Sequence, residues 1–382
     1  MMFWLSFVSF SLTLSYMLYV FWGMRQLANL KTVLPALPDA APGVSLIIPA
    51  CNEARTLLPA LESVLALSYP NLEIIVVNDR STDDTGNVLA ELKKEHPALH
   101  VLTITELPGG WLGKPHALHV GAMRARGDYF LFTDADILFE KSTMARAMTF
   151  MLENKLDHMS LIFKNITPGG VLNTAILEGI LGLMFLFRPW KAKNRNSRRY
   201  MGVGAFNLVK ADAYRQIGGH SRIAMHPIDD ILLGKMIKQQ GFLQDCLIGY
   251  DFVQVKWYAS VRELINGAMK NLFALYRFRI SNVLLFLFSI GCLQILPFWA
   301  LFFSTGATRG FFAGTIAIRL LSLAGGFSGI GLPPWYAVWS IVTPYLSAYI
   351  SSKAAITTLR NRGITWRGTH YPLDELKKGI RV

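Results

Sequence analysis

The stretch "DYFLFTDADILF", residues 128–139, is where the reading of the chain turns. An apolar run from Tyr129 to Phe132 stops on two carboxylates, Asp134 and Asp136, one residue apart. Acids at the end of a buried strand are costly unless a cation or a hydrogen-bond donor meets them. Taken alone, the pair reads as a strand end with a turn sooner than as part of a ligand site.

Working outward, residues 44–260 alternate between strand and helix patterns. "VSLIIPA" (44–50) is a short apolar strand, and "LLPALESVLAL" (57–67) has apolar positions three and four apart, as in a helix. "LEIIVVND" (72–79) is a second strand that also ends on an acid, Asp79. "STDDTGNVLAELKKEH" (81–96) places Ser81 or Thr82 at a helix start. "HVLTIT" (100–105), the helix "KPHALHVGAMRAR" (114–126) and the strand "DYFLFTDAD" (128–136) follow. Such alternation predicts a mostly parallel α/β sheet. Ligands of such sheets bind beyond the carboxyl ends of the strands, where the strand order reverses. The loop "PACNEA" (49–54), Asp79 and the pair Asp134/Asp136 should therefore share one edge. Several carboxylates on one edge suit a hard cation, Mg²⁺ or Mn²⁺, with phosphate oxygens as further ligands.

Composition narrows the class. Of 382 residues, 52% are hydrophobic and 16% charged, against roughly 25% charged in soluble domains. Mean hydropathy is +0.34. The formal net charge of +13 suits an anionic lipid surface or a phosphorylated substrate. No nucleic-acid-binding motif accompanies it, so a nucleic-acid partner is not expected. Cys51, Cys246 and Cys292 lie too far apart for a C-x-x-C pattern and read as reduced thiols.

Residues 1–24 are uncharged and long enough to span about 30 Å of hydrocarbon. They lack the basic start and small-residue cut of a signal peptide and read as an uncleaved anchor. Arg25 and Lys31 follow, which puts the next segment in the cytoplasm. Residues 282–303, 311–332 and 335–350 (extended to about 355) are candidate C-terminal spans, the second carrying Arg319. Three crossings would leave the basic tail (356–382) outside, whereas its Arg360, Arg362, Arg367, Lys377, Lys378 and Arg381 favour the inside. Residues 171–190 are apolar, contain Glu178 and precede Lys191, Lys193, Arg195, Arg198 and Arg199. They read as a helix in the lipid headgroup layer, or else as a buried core helix.

Five stretches in order, "SLIIPACNEA", "IIVVNDRSTDDT", "GKPHALHVGAMRARGDYFLFTDAD", "GVGAFNLVKADAYRQIGGH" and "IDDILLGKMIKQQG", resemble the motifs of family 2 glycosyltransferases. The resemblance spans roughly 43–280 and implies an inverting enzyme of the GT-A (nucleotide-diphospho-sugar transferase) fold. "GGWLGK", "ITWRGTHY" and the flanking apolar segments are similar to its membrane-bound branch, which includes ceramide, carotenoid and hopanoid-associated glycosyltransferases. The resemblance implies that Glu53 and Asp79 contact the nucleoside and that Lys114 lies near the diphosphate. It also implies that Asp134 faces the ribose side and that Asp136 holds the metal. Asp230 would be the general base, with Asp229 beside it where the family often has Glu, and Gly204 would lie in the acceptor loop. Processive members carry Q-x-x-R-W; "QVKW" (254–257) lacks the Arg and the spacing, which implies single transfer. Lys256 or Arg262 is a candidate replacement cation. The implied partners are a nucleotide sugar (a UDP-sugar), a lipid acceptor and the cell membrane, with the catalytic domain cytoplasmic. The alternative is a non-catalytic GT-A-like membrane scaffold.

Overall fold

The computed structural model describes residues 1–379, so Arg381 lies outside the described residues. Two compact units form. The first gathers Leu27–Ile166, Arg188–Trp257 and the chain from Thr365 onward. The second gathers Met1–Gln26, Thr167–Phe187 and Tyr258–Ile364.

The first unit is built on a seven-stranded sheet. Its strands are β1 (Val44–Ala50), β2 (Leu72–Asp79), β3 (His100–Ile104), β4 (Tyr129–Phe132), β6 (His158–Ile162), β8 (Asn207–Lys210) and β9 (Gln244–Ile248), in the order β3-β2-β1-β4-β8-β6-β9. Pairings are parallel except on the two sides of β8, which runs against β4 and β6. Strand order reverses at β1, which lies between β2 and β4. β1 is buried almost throughout, as expected where a parallel sheet is covered on both faces. The helix Gly113–Arg124 packs on β1 and β2 so closely that a Cβ on Gly121 would lie 2.4 Å from Ile47 Cγ2. Ile47, Val77, Leu118, Phe130, Phe132 and Leu233 join in one core cluster. Each large apolar side chain so buried contributes about 1.5–3 kcal/mol.

Two local expectations are corrected. β4 ends at Phe132, not Asp136. Ile137–Phe139 forms β5 of a second sheet, paired antiparallel with β10 (Val253–Val255), which in turn runs parallel to β7 (Lys164–Asn165). Thr133–Asp136 thus bridges two sheets. The helix expected from Ser81 or Thr82 begins instead at Thr85. Ser81 and Thr82 are used to hold Asn52, which competes with capping.

The second unit is helical. Residues Met2–Met24, Gly170–Lys191, Ile280–Phe303 and Gly306–Gly329 each contain a helix long and apolar enough to cross a membrane. The segment expected at 335–350 differs: Pro334–Ile341 is a 3₁₀ helix, followed by an α-helix over Thr343–Arg360. Pro333, Pro334 and Pro344 break the first part, and Ser351, Ser352, Lys353 and Thr357 make the rest polar. Arg319, in the Gly306–Gly329 helix, donates to Glu178 Oε1 at 2.8 Å, Gln294 Oε1 at 3.2 Å and the Ser340 carbonyl at 3.1 Å. Thr343 Oγ1 donates to the other Glu178 oxygen at 2.6 Å. An arginine is tolerated among apolar helices when it is paired in this way.

Candidate functional site

The expected acids come from three strand ends. The loop after β1 is pinned by three neighbours. Asn52 N donates to Ser81 Oγ at 3.0 Å, Thr82 N donates to Asn52 Oδ1 at 2.7 Å, and Glu53 N donates to Thr85 Oγ1 at 2.8 Å. Glu53 is ion-paired with Arg367. At the end of β2, Asp79 is buried and gripped by Arg80, with Nε at 2.7 Å and Nη2 at 3.0 Å from its two oxygens. A Cβ on Gly113 would lie 2.4 Å from Asp79 Oδ2 and 2.7 Å from Arg80 Nη2, so a side chain there would have to displace this ion pair.

From the first turn of the Gly113–Arg124 helix, Lys114 reaches Asp134, with Nζ 2.5 Å from Oδ1. Thr133 anchors the bridging segment by donating to the Ala205 carbonyl at 2.8 Å. Opposite stands Asp230, in the first turn of the Asp229–Gln239 helix. Its Oδ2 accepts from Gly204 N at 2.8 Å and its Oδ1 from Ile231 N at 2.8 Å. Gly204 marks the convergence: a Cβ there would lie 2.9 Å from Asp134 Oδ2, 3.2 Å from Asp230 Oδ2 and 3.4 Å from Lys114 Nζ. The backbone around it is equally close-set. A Cβ on Gly202 would lie 1.8 Å from the Asp230 carbonyl, and one on Gly234 2.1 Å from the Met201 carbonyl. Lys114, Gly204, Asp229 and Asp230 line a small pocket together with Thr133, Asn207 and His220.

The electrostatics follow from this crowding. Burial, then Asp134, then Glu53 push the Asp136 carboxyl well above the usual carboxylate range. Burial also raises Asp229 and Asp230, although Lys114 pulls both back. Burial alone would lower the Lys114 ammonium, but Asp134, Asp229 and Asp230 outweigh it, so lysine stays charged. One cation thus serves several acids, and the Asp136 carboxyl holds its proton more readily than a free one until a cation meets it. Among the described residues, no three His, Cys, Asp or Glu side chains come together as a metal cage. The donor set is carboxylate oxygen only, which suits Mg²⁺ or Mn²⁺ held by one or two carboxylates and completed by ligand phosphates.

Lys114, Asp134, Gly204, Asp229 and Asp230 are thus brought together, and Asp136 is close enough to Asp134 and Glu53 to feel both charges. Asp79 is engaged with Arg80 instead. His116 and His119 pack against Trp111, and buried His226 accepts from Ile228 N at 3.4 Å. Lys256 directly follows β10, whereas Arg262 lies in the Val261–Leu275 helix of the helical unit. Sequence reasoning missed His220. It is buried, its Nδ1 lies 2.9 Å from the Tyr214 hydroxyl, and its Nε2 lies 3.9 Å from Asp229 Oδ2. It also missed the guanidinium partners Arg80 and Arg367. Arg80 had a signal, since it follows Asp79 directly; Arg367 stood in the quoted "ITWRGTHY", with nothing to mark Glu53 as its partner.

Residues 45–218 match the family model described as Glycosyl transferase family 2. Over 238 residues the chain is 26% identical to 4,4'-diaponeurosporenoate glycosyltransferase of Staphylococcus aureus (strain MRSA252), an alignment covering 60% of this chain and 60% of that protein. The same enzyme of strain USA300 matches with the same identity and coverage. The chain thus spans about 60% of the length of the curated relatives it matches. The solved structure of mannosyltransferase PcManGT from Pyrobaculum calidifontis, in complex with GDP-Man and Mn²⁺, superposes with a TM-score of 0.56. It covers 94% of this chain and 99% of its own at 18% identity, a likeness of fold, GT-A.

Proposed function

We propose, from the glycosyl transferase family 2 domain carried at residues 45–218, that the chain is an inverting glycosyltransferase. It moves one sugar from a nucleotide sugar, a UDP-sugar, to a hydroxyl of a membrane lipid or lipid-like acceptor. The observation that carries this reading is the convergence on Gly204. Lys114 and Asp134 reach it from the donor side and Asp230 from the other, beside a pocket lined by Lys114, Gly204 and Asp230.

Asp230 is the general base. Two backbone N–H groups aim its carboxylate, and burial raises its affinity for a proton. It takes the acceptor O–H proton as that oxygen bonds to the anomeric carbon from the face opposite the leaving group. The bond from that carbon to the phosphate oxygen breaks, and the nucleoside diphosphate departs with the electron pair. A positioned base contributes roughly 10²–10⁴-fold. Lys114 supplies fixed positive charge where the diphosphate's charge develops. Asp136 would hold Mg²⁺ or Mn²⁺, which when bound neutralises the diphosphate. Asp229 lies beside the base on the acceptor side, and Glu53 and Asp79 meet the nucleoside through their ion-paired carboxylates.

Four apolar helices support placement in the cell membrane, where a lipid acceptor resides. Leu27–Ile166, Arg188–Trp257 and the chain from Thr365 form one compact unit, and a compact unit occupies one side of a bilayer. The basic run that follows residues 171–190, Lys191 to Arg199, supports a helix in the headgroup layer there. Crossings by 280–303 and 306–329 bring the basic tail back to that same side, and the positive-inside rule makes it the cytoplasm.

The test is to incubate membranes holding the wild type or Asp230→Asn with a panel of labelled UDP- and GDP-sugars. Extracted lipids are then read by mass spectrometry. A lipid heavier by one sugar should appear with the wild type and be missing with the variant. A ladder of several sugars contradicts single transfer, and absence of any labelled lipid with every donor overturns the reading.

A further inference from the structure

The motif "ITWRGTHY" has no role in the chemistry above, yet it folds onto that site. It forms a hairpin of β11 (Gly363–Trp366) and β12 (Thr369–Pro372). Arg367 and Gly368 are the two turn residues, with φ of 51° and 80°. Two successive positive φ values make the tight turn that matches strand twist, so the tip is held rigidly. Arginine in the left-handed region is costly and persists only where its surroundings over-determine it.

What surrounds it is the donor edge of the sheet. Arg367 pairs with the Glu53 carboxylate and donates to the Asn52 carbonyl at 3.1 Å. Thr369 Oγ1 accepts from Arg80, the residue gripping Asp79, at 3.3 Å. The Tyr371 hydroxyl, on a buried ring, accepts from Gly113 N at 3.3 Å, one residue before Lys114. One hairpin thus ties the ends of β1 and β2 to the start of the Gly113–Arg124 helix. Asn52 and Arg80 also hold positive φ, of 55° and 53°. Three left-handed non-glycine residues in one contact network is the pattern of a ligand clamp. The Arg367–Glu53 pair is partly exposed, and such pairs contribute little to folding.

Resting on the donor reading above, we propose that this hairpin forms the nucleoside wall of the donor pocket. Arg367 is a positioning residue that aims and neutralises Glu53 for a nucleotide. Without Arg367, the Glu53 carboxylate would keep the Thr56 hydroxyl at 2.8 Å but lose its paired cation, and beside Asp136 it would repel an incoming diphosphate. Preorganisation of this kind appears in binding rather than in the chemical step.

Titration calorimetry on the full chain in detergent, with UDP and with GDP in the presence of Mn²⁺, tests this on wild type, Arg367→Ala, Arg367→Lys and Tyr371→Phe. Arg367→Ala should bind the nucleotide preferred by wild type about tenfold more weakly, equivalent to about 1.4 kcal/mol, the scale of one charge-assisted hydrogen bond. Donor KM should rise in step while kcat and the thermal midpoint hold. Arg367→Lys should recover part of the affinity, and Tyr371→Phe should weaken it in the same direction. Wild-type affinity in both Arg367→Ala and Tyr371→Phe, or a loss matched by a fall in thermal midpoint, overturns the hairpin's role. Absence of nucleotide binding by the wild type overturns the donor reading itself.

Discussion

At the residue scale, the proposed function assigns two tasks to two carboxylates, and substitution should separate them. Asp230→Asn keeps the shape around Gly204 but cannot accept a proton at neutral pH. Its turnover should fall by roughly 10²-fold or more with nucleotide affinity unchanged. Asp136→Ala should lose Mn²⁺-dependent nucleotide binding and turnover together. Calorimetry beside a turnover assay reads both, and an active Asp230→Asn would remove the base assignment. Gly204→Ala is a steric test of the convergence. Its Cβ would press on Asp134 Oδ2 at 2.9 Å and Asp230 Oδ2 at 3.2 Å, both ends of side chains that can yield. The fold should survive, while turnover should fall on the order of 10–100-fold, because small misplacements cost that much. Unchanged turnover would mean that these acids do not act at one point. Asp134 and Asp136 were legible as acids following a strand, whereas Asp230, at a helix start, came only from the resemblance. The ion pairs were less legible, since Arg367 lies more than three hundred residues from Glu53.

At the scale of elements, the sheet carries its own pH sensitivity. His158 on β6 is fully buried, with Nε2 2.5 Å from Asn207 Oδ1 on β8. Its Nδ1 has no hydrogen-bond partner among the described residues. A proton there would find no acceptor, and burial pushes the imidazole down to about 4. The folded value is below that of the unfolded chain, about 6.5, so the unfolded state binds the proton first. The stabilisation is complete above about pH 6.5 and is lost as pH falls through 4, about 3 kcal/mol in all. The buried carboxyls Asp136 and Asp229 act with the opposite sign, which is why a comparison is needed. Denaturant unfolding of wild type and His158→Gln from pH 7 to 4 should show the wild type losing more stability. Parallel curves would refute the buried neutral imidazole. Strands β1, β2 and β4 were readable because their apolar runs match a sheet covered on both faces. The antiparallel insertion of β8 was not, because "NLVK" carries no mark of direction.

At the scale of the whole molecule, Glu178 and Arg319 lie on different apolar helices and meet only through the fold of the helical unit. Removing one partner of a buried pair leaves an uncompensated charge, which costs about 3–5 kcal/mol, whereas replacing both by apolar groups is often neutral. Arg319→Leu or Glu178→Leu alone should lower the thermal midpoint in detergent sharply, and the double variant should recover most of the loss. Equal losses in all three variants would show that the pair does not stabilise the unit.

By itself the sequence determined which strands lead into acids and, apart from 335–350, which segments are apolar enough for a bilayer, along with an order of motifs that resembles family 2 glycosyltransferases. These follow from short-range periodicity and spacing, which are properties of neighbouring residues. Only the tertiary structure decided that one lysine faces three acids, that Arg80 and Arg367 already occupy Asp79 and Glu53, and that the 335–350 segment is not a continuous apolar helix. Charge pairing between distant residues depends on which strand ends and loops the topology brings within a few ångströms, and no local pattern encodes that distance.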